Sequence, residues 1–95
     1  MKSIISNERE CFICHRYEPL HKHHIYEGTG RRALSEKEGC WIYLCPRHHN
    51  WSTWGIHANK ELDLKIKQMC QRKWMEVNGK TEEDFIAVFG RNYLV

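Results

Sequence analysis

Two short motifs of cysteine and histidine carry the clearest chemistry in this sequence. They are Cys11-x-x-Cys14 and, about thirty residues further on, Cys45-x-x-His48. A zinc ion takes four thiolate or imidazole ligands at tetrahedral angles, about 2.3 Å from sulfur and about 2.0 Å from nitrogen. Two intervening residues let one tight turn, or the first turn of a helix, place both ligands on the ion. The pattern therefore predicts a structural zinc site with these four residues as ligands.

Other donors compete with His48 for the fourth position. They are two histidines and two cysteines: His49, His57, Cys40 and Cys70. Cys70 falls on the apolar stripe of a predicted helix, and we expect it in the core because a buried free cysteine behaves as a small hydrophobe. Core packing is also the alternative interpretation of Cys11 and Cys14, although two matched pairs favour zinc.

A second group of donors surrounds the histidine pair His23-His24. His49 directly follows the second zinc motif, and His21 and His57 are further candidates. Neighbouring side chains of a strand point to opposite faces, so His23 and His24 do not both bind one ion in a regular strand. One can face a metal and the other a substrate if the strand bends or ends there. The alternative interpretation is a solvated histidine patch.

The elements that position these residues in the first half of the chain are short. We predict, in order, a strand at 23–26, a turn at 27–30, a loop with Arg31, Arg32 and Ser35, and a strand at 41–45. The second strand is the clearer one, because β-branched and aromatic residues are concentrated in it. We interpret the strands as a hairpin with a long connecting loop. A short helix starting near Pro46 then carries His48 and His49, since proline is favoured in a first helical turn.

The second half of the sequence is predicted to be helical. Asn59 is a suitable N-cap, and Asn78-Gly79 ends the first helix. Thr81 starts a capping box for a second helix, which Gly90 terminates. Apolar residues recur at helical spacing along the first helix at Leu62, Ile66, Met69, Cys70, Trp74 and Val77. Those of the second helix, which we expect to pack back on the first, are Phe85, Ile86 and Phe89.

Length and composition favour a small metal-stabilised domain. A chain of 95 residues buries little apolar surface, and such domains often add a metal. Five cysteines, seven histidines and no apolar leader favour a reducing cytoplasm, where clustered cysteines more often mean metal than disulfide. The sequence has no stretch of about eighteen apolar residues, so no membrane span is expected. A net charge of +3 permits nucleic-acid binding without requiring it.

At these residues the sequence resembles the HNH nuclease superfamily, also called His-Me finger or ββα-metal nucleases. The family pattern is a zinc Cys-x-x-Cys, then Asp-His-Ile on the first strand, then Asn-Leu before the second strand. It closes with Leu-Cys-x-x-Cys-His, or Asn in the last place, entering a helix. The corresponding segments here are Cys11-Phe12-Ile13-Cys14, His23-His24-Ile25 and Leu44-Cys45-Pro46-Arg47-His48-His49.

More narrowly, the sequence is similar to phage recombination-enhancement (RecA-dependent) nucleases over about residues 11–59. The shared segments are His23-His24-Ile25-Tyr26-Glu27-Gly28, Arg31-Arg32, Ser35, His48-His49 and Gly55-Ile56-His57. Three positions depart from the wider pattern: His23 replaces the metal-binding Asp, His48 replaces the second zinc cysteine, and Cys40 lies near the place of the middle Asn. Because that Asn orients the general base, the His24 ring needs another partner, such as a backbone carbonyl, Glu27 or another histidine.

The resemblance implies a one-metal hydrolysis of DNA. His24 is then the general base that takes a proton from water, for which an ordinary histidine pKa near 6.5 is suitable. A divalent ion held by His23 and His49, with His57 as an alternative ligand, stabilises the phosphorane and the departing 3′ oxygen. With histidine in place of Asp, manganese, nickel or zinc can serve as well as magnesium. Phosphate contacts are expected from Arg31 and Arg32, although paired loop arginines are often only a solvated surface.

The implied fold is α+β: a small zinc-bound treble-clef-like ββα-metal fold, a β-hairpin plus helix, with a C-terminal helical extension. We expect one domain over residues 1–95, with a nuclease core at 11–59 and a helical part at 60–95. The expected partners are DNA and a RecA-type recombinase filament, in the cytoplasm of a host cell if a phage encodes the chain. Two other functions stay open, a non-catalytic treble-clef zinc module that binds nucleic acid or protein and a metal-handling protein.

Overall fold

Strands and short helical segments alternate in the first half of the chain, and two further helices follow. A computed structural model describes residues 2–51 and 55–94, with the backbone alone for Asn50 and Trp51. The elements, in order, are β1 His21–His24, α1 Arg31–Glu38, β2 Trp41–Leu44, a π-helical turn Arg47–Trp51, α2 Lys60–Asn78 and α3 Glu82–Phe89. The predicted α+β class is therefore confirmed.

The two strands form an antiparallel pair, as predicted. In the register of the pair, His23 lies opposite Ile42 and His24 lies opposite Trp41. β1 begins two residues earlier than predicted and ends at His24, but the pairing continues beyond it, because the Ile25 amide donates to the Cys40 carbonyl at 3.0 Å. His23 and His24 are therefore the last two residues of β1, and one more backbone hydrogen bond follows them.

The connection between the strands contains a helix, so the prediction of a loop at Arg31, Arg32 and Ser35 is wrong. All three residues belong to α1. Gly30 precedes the helix with a left-handed φ of 80° and supplies no side-chain cap, which explains why the local sequence shows no helix start. A tertiary contact replaces the cap. Buried Ser35 Oγ accepts from the Tyr26 amide at 3.0 Å and donates to the Tyr26 carbonyl at 2.8 Å.

The helices of the second half begin and end where their capping residues predict. The Asn59 side chain accepts from the Leu62 amide at 3.0 Å, and Gly79 follows α2 with a left-handed φ of 61°. Thr81 and Asp84 form the predicted capping box of α3. Local sequence signals therefore fix the two helices that lie outside the candidate site.

One hydrophobic cluster joins the strand region to the C-terminal helices. Its centre is Tyr26, whose ring lies 5.3, 4.7 and 5.2 Å from those of Phe85, Phe89 and Tyr93. The predicted core residues Ile66, Cys70 and Trp74 are also buried. Val77 and Ile86 are instead 52% and 40% exposed, so they do not belong to the core.

The sequence gives no sign of the polar core residue Gln71. Its side-chain Nε2 donates to Asn92 Oδ1 at 2.8 Å, and its side-chain Oε1 accepts from the Tyr93 backbone amide at 2.8 Å. These bonds hold the C-terminal tail against α2.

Across residues 2–51 and 55–94, none of the helices combines the length and apolar character required to traverse a bilayer.

Candidate functional site

The four predicted zinc ligands lie together in the structure. Cys14 Sγ is 3.7 Å from Cys45 Sγ, and His48 Nδ1 is 3.7 Å from Cys11 Sγ and 3.3 Å from Cys45 Sγ. A tetrahedral zinc ion with ordinary bond lengths separates two sulfurs by about 3.8 Å and a sulfur and a nitrogen by about 3.6 Å. The observed distances fit these edges, so this Cys3His group can hold a metal ion.

Backbone hydrogen bonds build the turn that presents Cys11 and Cys14. The Cys11 amide donates to the Arg16 carbonyl and the His15 amide donates to the Cys11 carbonyl, both at 2.8 Å. His15 has a left-handed φ of 65°, which closes the turn. The Phe12 amide donates to the Tyr43 carbonyl at 2.8 Å, so the turn is fastened to β2.

The electrostatics of Cys11 and His48 also suit a metal, although burial raises the pKa of the Cys14 thiol. Burial raises the pKa of the Cys11 thiol, but hydrogen bonds from the backbone amides of Cys14, Cys45 and Ile13 outweigh burial and leave that pKa below its usual value. Burial, together with the nearby positive charges of Arg47 and Arg16, lowers the pKa of His48. A thiolate and a neutral imidazole are the protonation states that bind zinc.

The competing donors are placed elsewhere. Cys40 and Cys70 are fully buried in the hydrophobic core. The pKa of the Cys40 thiol is raised, mainly by a hydrogen bond with Cys70 and secondly by burial. His49 and His57 belong to a second group of donors. Among the described residues, His48 is therefore the histidine that completes the cysteine group.

The alternation of side chains along β1 divides its residues between two surroundings. His21 and His23 lie on the face that meets His49: His21 Nδ1 is 2.9 Å from His49 Nδ1, and the His23 and His49 rings are 5.3 Å apart. Lys22 and His24 lie on the other face. The predicted division, in which only one member of the His23-His24 pair meets the other histidines, agrees with this arrangement.

His23 is the central residue of the second donor group. Its side chain is 1% exposed, and neither ring nitrogen has a hydrogen-bond partner among the described residues. Burial, and then the positive charge that His49 and His57 would carry, lower the pKa of His23 to about 3. His23 is therefore neutral at physiological pH. Buried polar groups almost always have partners, so this orphaned imidazole points to a missing ligand.

His49 and His57 complete the group, although they come from different segments. Their Nε2 atoms lie 3.1 Å apart. The Ile56 amide donates to the His48 carbonyl at 2.8 Å and the His57 amide donates to the His49 carbonyl at 3.4 Å, which places the segment containing His57 beside the π-helical turn. One nitrogen from each of His23, His49 and His57 lies within 4.8 Å of the others, so these three histidines can hold a second metal ion.

A pocket of 360 Å³ opens beside the three histidines. The residues that line it include His23, His24, His49, His57, Glu27 and Arg32. The His24 side chain is 12% exposed, and burial lowers its pKa although the charge of Glu36 opposes the change. The predicted base and the predicted metal ligands therefore border the same space.

The group that faces His24 is Glu36 of α1, a residue that the sequence did not indicate. Glu36 Oε1 lies 3.7 Å from His24 Nε2, and the Glu36 carboxylate accepts from Lys22 Nζ at 2.9 and 3.2 Å. Glu27, one of three groups considered from the sequence as a partner of His24, instead faces His23 and His57. The alternation of side chains along β1 could have shown that Lys22 and His24 share one face. It could not show that Glu36 meets them there, because Glu36 lies on a helix that was predicted as a loop.

The two predicted phosphate-binding arginines have different surroundings. Arg32 is exposed and lines the pocket. Arg31 is half-buried, and its guanidinium lies near Gly90 at the C-terminal end of α3, where a cation is favourable. Only Arg32 is therefore placed to meet a molecule in the pocket.

Comparisons of the chain with models of protein families, with curated proteins and with solved structures find no match. The resemblance to HNH nucleases accordingly stays a prediction from the residues themselves. The function is inferred below from the geometry of the site.

Proposed function

We propose that this chain is a metal-dependent endonuclease of the HNH type, which hydrolyses DNA phosphodiester bonds in phage or prophage recombination. The observation that supports this most strongly is the group of three histidines, His23, His49 and His57, in the same pocket as His24. An unpartnered buried polar group costs about 1–3 kcal/mol, so the cluster is best explained as a ligand site. A divalent ion is the ligand that fits three convergent neutral imidazoles, which by themselves suit nickel or zinc, whereas the resemblance implies Mg²⁺ or Mn²⁺.

The architecture is compatible with a zinc-bound treble-clef-like ββα-metal fold. A cysteine turn, an antiparallel strand pair and a helical turn supply Cys11, Cys14, Cys45 and His48 in that order. Zn²⁺ is the proposed occupant, because three thiolates and an imidazole at tetrahedral spacing match its usual structural site. The same helical turn carries His49, so a zinc ion here would stabilise the backbone that positions the second site.

The chemistry assigned to this chain begins with His24. Because the carboxylate of Glu36 faces Nε2, the tautomer with its proton on Nε2 is favoured, and Nδ1 is free to take a proton from water. The water oxygen forms a bond to phosphorus while the bond from phosphorus to the 3′ oxygen breaks, and solvent protonates that oxygen. The products are a 5′ phosphate and a 3′ hydroxyl.

The remaining residues of the pocket bind and orient. His23, His49 and His57 would hold the divalent ion, which supplies positive charge beside the oxygens that become more negative. Arg32 would pair with a phosphate of the bound strand, for which a guanidinium fork is well shaped. No described residue of the pocket is placed to read bases, so DNA shape or a partner such as a RecA-type filament would determine where cleavage occurs.

A non-catalytic zinc module that binds nucleic acid or protein is the second candidate. The Cys3His group supports it as well as it supports the nuclease. The module gives no reason for an orphaned buried imidazole at His23 beside two further histidines. The geometry of the second group therefore favours the enzyme.

The proposal is tested by DNA cleavage. Zinc-loaded protein is incubated with supercoiled plasmid and with single-stranded DNA, with Mg²⁺ or Mn²⁺, alone and with a RecA-type filament. We expect cleavage by the native chain and by Glu61→Gln, a variant of an exposed side chain of α2 outside the pocket, and none by His24→Ala. Binding of DNA without cleavage under every condition would favour the zinc module.

A further inference from the structure

Glu27 is a carboxylate at the edge of the three-histidine group. It lies three residues after His24, and its side chain is 45% exposed. Its Oε1 atom is 3.5 Å from His23 Nδ1 and 3.7 Å from His57 Nε2. One oxygen therefore approaches nitrogen atoms of two of the three histidines, and these come from separate parts of the chain.

These distances are close to those between ligands of one ion. Ligands about 2.1 Å from a metal lie about 3.0 Å apart at octahedral angles and about 3.4 Å apart at tetrahedral angles. The observed separations are 3.1 Å between His49 and His57, 3.5 Å between Glu27 and His23, and 3.7 Å between Glu27 and His57. Glu27 lies outside the set of three histidine nitrogens that are all within 4.8 Å of one another, so a rotation of its half-exposed side chain is needed to bring its oxygen onto the shared ion.

The other roles open to Glu27 fit less well. Holding the His24 ring is one role that the sequence left open for Glu27, but the carboxylate that faces His24 is Glu36. A simple hydrogen bond to His23 is not formed, because both ring nitrogens of that residue lack a hydrogen-bond partner among the described residues. The carboxylate is thus near the histidines without being hydrogen-bonded to the buried one.

We infer that Glu27 is the fourth protein ligand of the second metal site, which becomes a three-histidine, one-carboxylate site selective for a hard divalent cation such as Mn²⁺. Imidazoles alone suit nickel and zinc, whereas carboxylate oxygen suits manganese and magnesium. Glu27 would restore the carboxylate that is lost where His23 stands in place of an Asp. This inference rests on the proposed metal site and deepens it.

The test compares two ions on one zinc-loaded protein. Mn²⁺ binding is followed by the EPR signal of free Mn²⁺, and Ni²⁺ binding by calorimetry, for the native chain and for Glu27→Gln. We expect Glu27→Gln to weaken Mn²⁺ binding by about tenfold or more and Ni²⁺ binding by less than about threefold. The matched control is Glu61→Gln, which removes one exposed carboxylate from α2 and should leave both affinities unchanged.

The comparison of ions separates a ligand from a structural residue. A loss that is equal for the two ions, no loss, or no Mn²⁺ binding by the native chain would overturn the inference. Thermal melting of both variants checks that the fold is kept. Binding does not depend on cleavage, so a native chain that binds Mn²⁺ through Glu27 but leaves DNA intact would refute the proposed nuclease and not the ligand.

Discussion

The Nε2 atoms of His49 and His57 lie 3.1 Å apart, although eight residues separate the two histidines along the chain. Burial, and then the charges of His57 and His21, lower the pKa of His49 to about 4, so His49 is neutral at physiological pH. Its Nδ1 atom lies 2.9 Å from His21 Nδ1. If His21 accepts a proton there, the Nε2 lone pair of His49 is directed to the shared space, as in metal sites whose ligands are oriented by a second hydrogen bond.

His57 is a proposed ligand of the second metal ion, and the effect of its removal is measurable. We expect His57→Ala to lower the Mn²⁺ affinity of the zinc-loaded chain by about tenfold or more, because one of three imidazoles is lost. The measurement is an EPR titration with Mn²⁺. Glu61→Gln changes an exposed side chain of α2 outside the pocket and serves as the control. Equal Mn²⁺ affinities for His57→Ala and the native chain would contradict the assignment.

The Cys3His group should contribute a large part of the folding free energy. Because a structural zinc ion binds only the folded turn, its binding energy is folding energy. We expect Cys14→Ser to lose the zinc and to lower the free energy of unfolding by about 3 kcal/mol or more. Zinc content is measured by atomic absorption, and stability by urea unfolding.

The matched control for Cys14 is another cysteine that lies away from the metal group. Cys70→Ala shortens a buried core side chain, which costs about 1 kcal/mol, and should retain one zinc per chain. If Cys14→Ser also retains a full equivalent of zinc, Cys14 is not a ligand.

The parts of the fold that could be predicted are those with local causes. α2 and α3 have capping residues at Asn59 and Thr81 that form bonds within three residues of themselves. The Cys11 and Cys45 motifs have a fixed local spacing that a metal requires. Each of these signals is present in a short window of sequence.

The parts that were missed depend on contacts between distant residues. α1 lacks a side-chain cap and is fastened through Ser35 to Tyr26, nine residues earlier. His57 was only an alternative ligand in the prediction, because its approach to His49 depends on backbone bonds between segments 48–49 and 56–57. Glu36 was not predicted as the partner of His24, because that contact requires α1 to exist.

Glu36 should affect the rate of catalysis more than it affects binding. We expect Glu36→Ala to lower kcat about tenfold, because the His24 ring loses the charge that favours its reactive tautomer. KM and Mn²⁺ affinity should be unchanged, and Glu36→Gln, which keeps an oxygen acceptor, should recover part of kcat. Kinetics on a fluorescent oligonucleotide measure the two parameters.

Glu61→Ala is the control for loss of a carboxylate, because Glu61 is exposed on α2 and pairs only with Lys65 among the contacts described. A fall in Mn²⁺ affinity equal to the fall in kcat would show that Glu36 supports the metal site and not His24.

His23 should make the free energy of unfolding of the chain depend on pH when no divalent ion is bound at the second site. Its pKa is about 3 in the folded chain, against 6.5 for an ordinary histidine, so below pH 6.5 the unfolded chain binds a proton that the folded chain does not. The stabilisation is therefore complete above pH 6.5 and is lost as pH falls toward 3. One proton corresponds to a slope of about 1.4 kcal/mol per pH unit in the free energy of unfolding.

The variant that tests this slope is His23→Gln, which keeps a polar side chain of similar size but does not titrate. Urea unfolding of both zinc-loaded chains, without added Mn²⁺, is measured at several pH values below neutrality. Acid release of zinc from the cysteines affects both chains, so the difference between their slopes isolates His23. We expect the native slope to be steeper by about 1.4 kcal/mol per pH unit. Parallel slopes would mean that His23 is solvated or partnered, and that the buried imidazole is not held neutral for a metal.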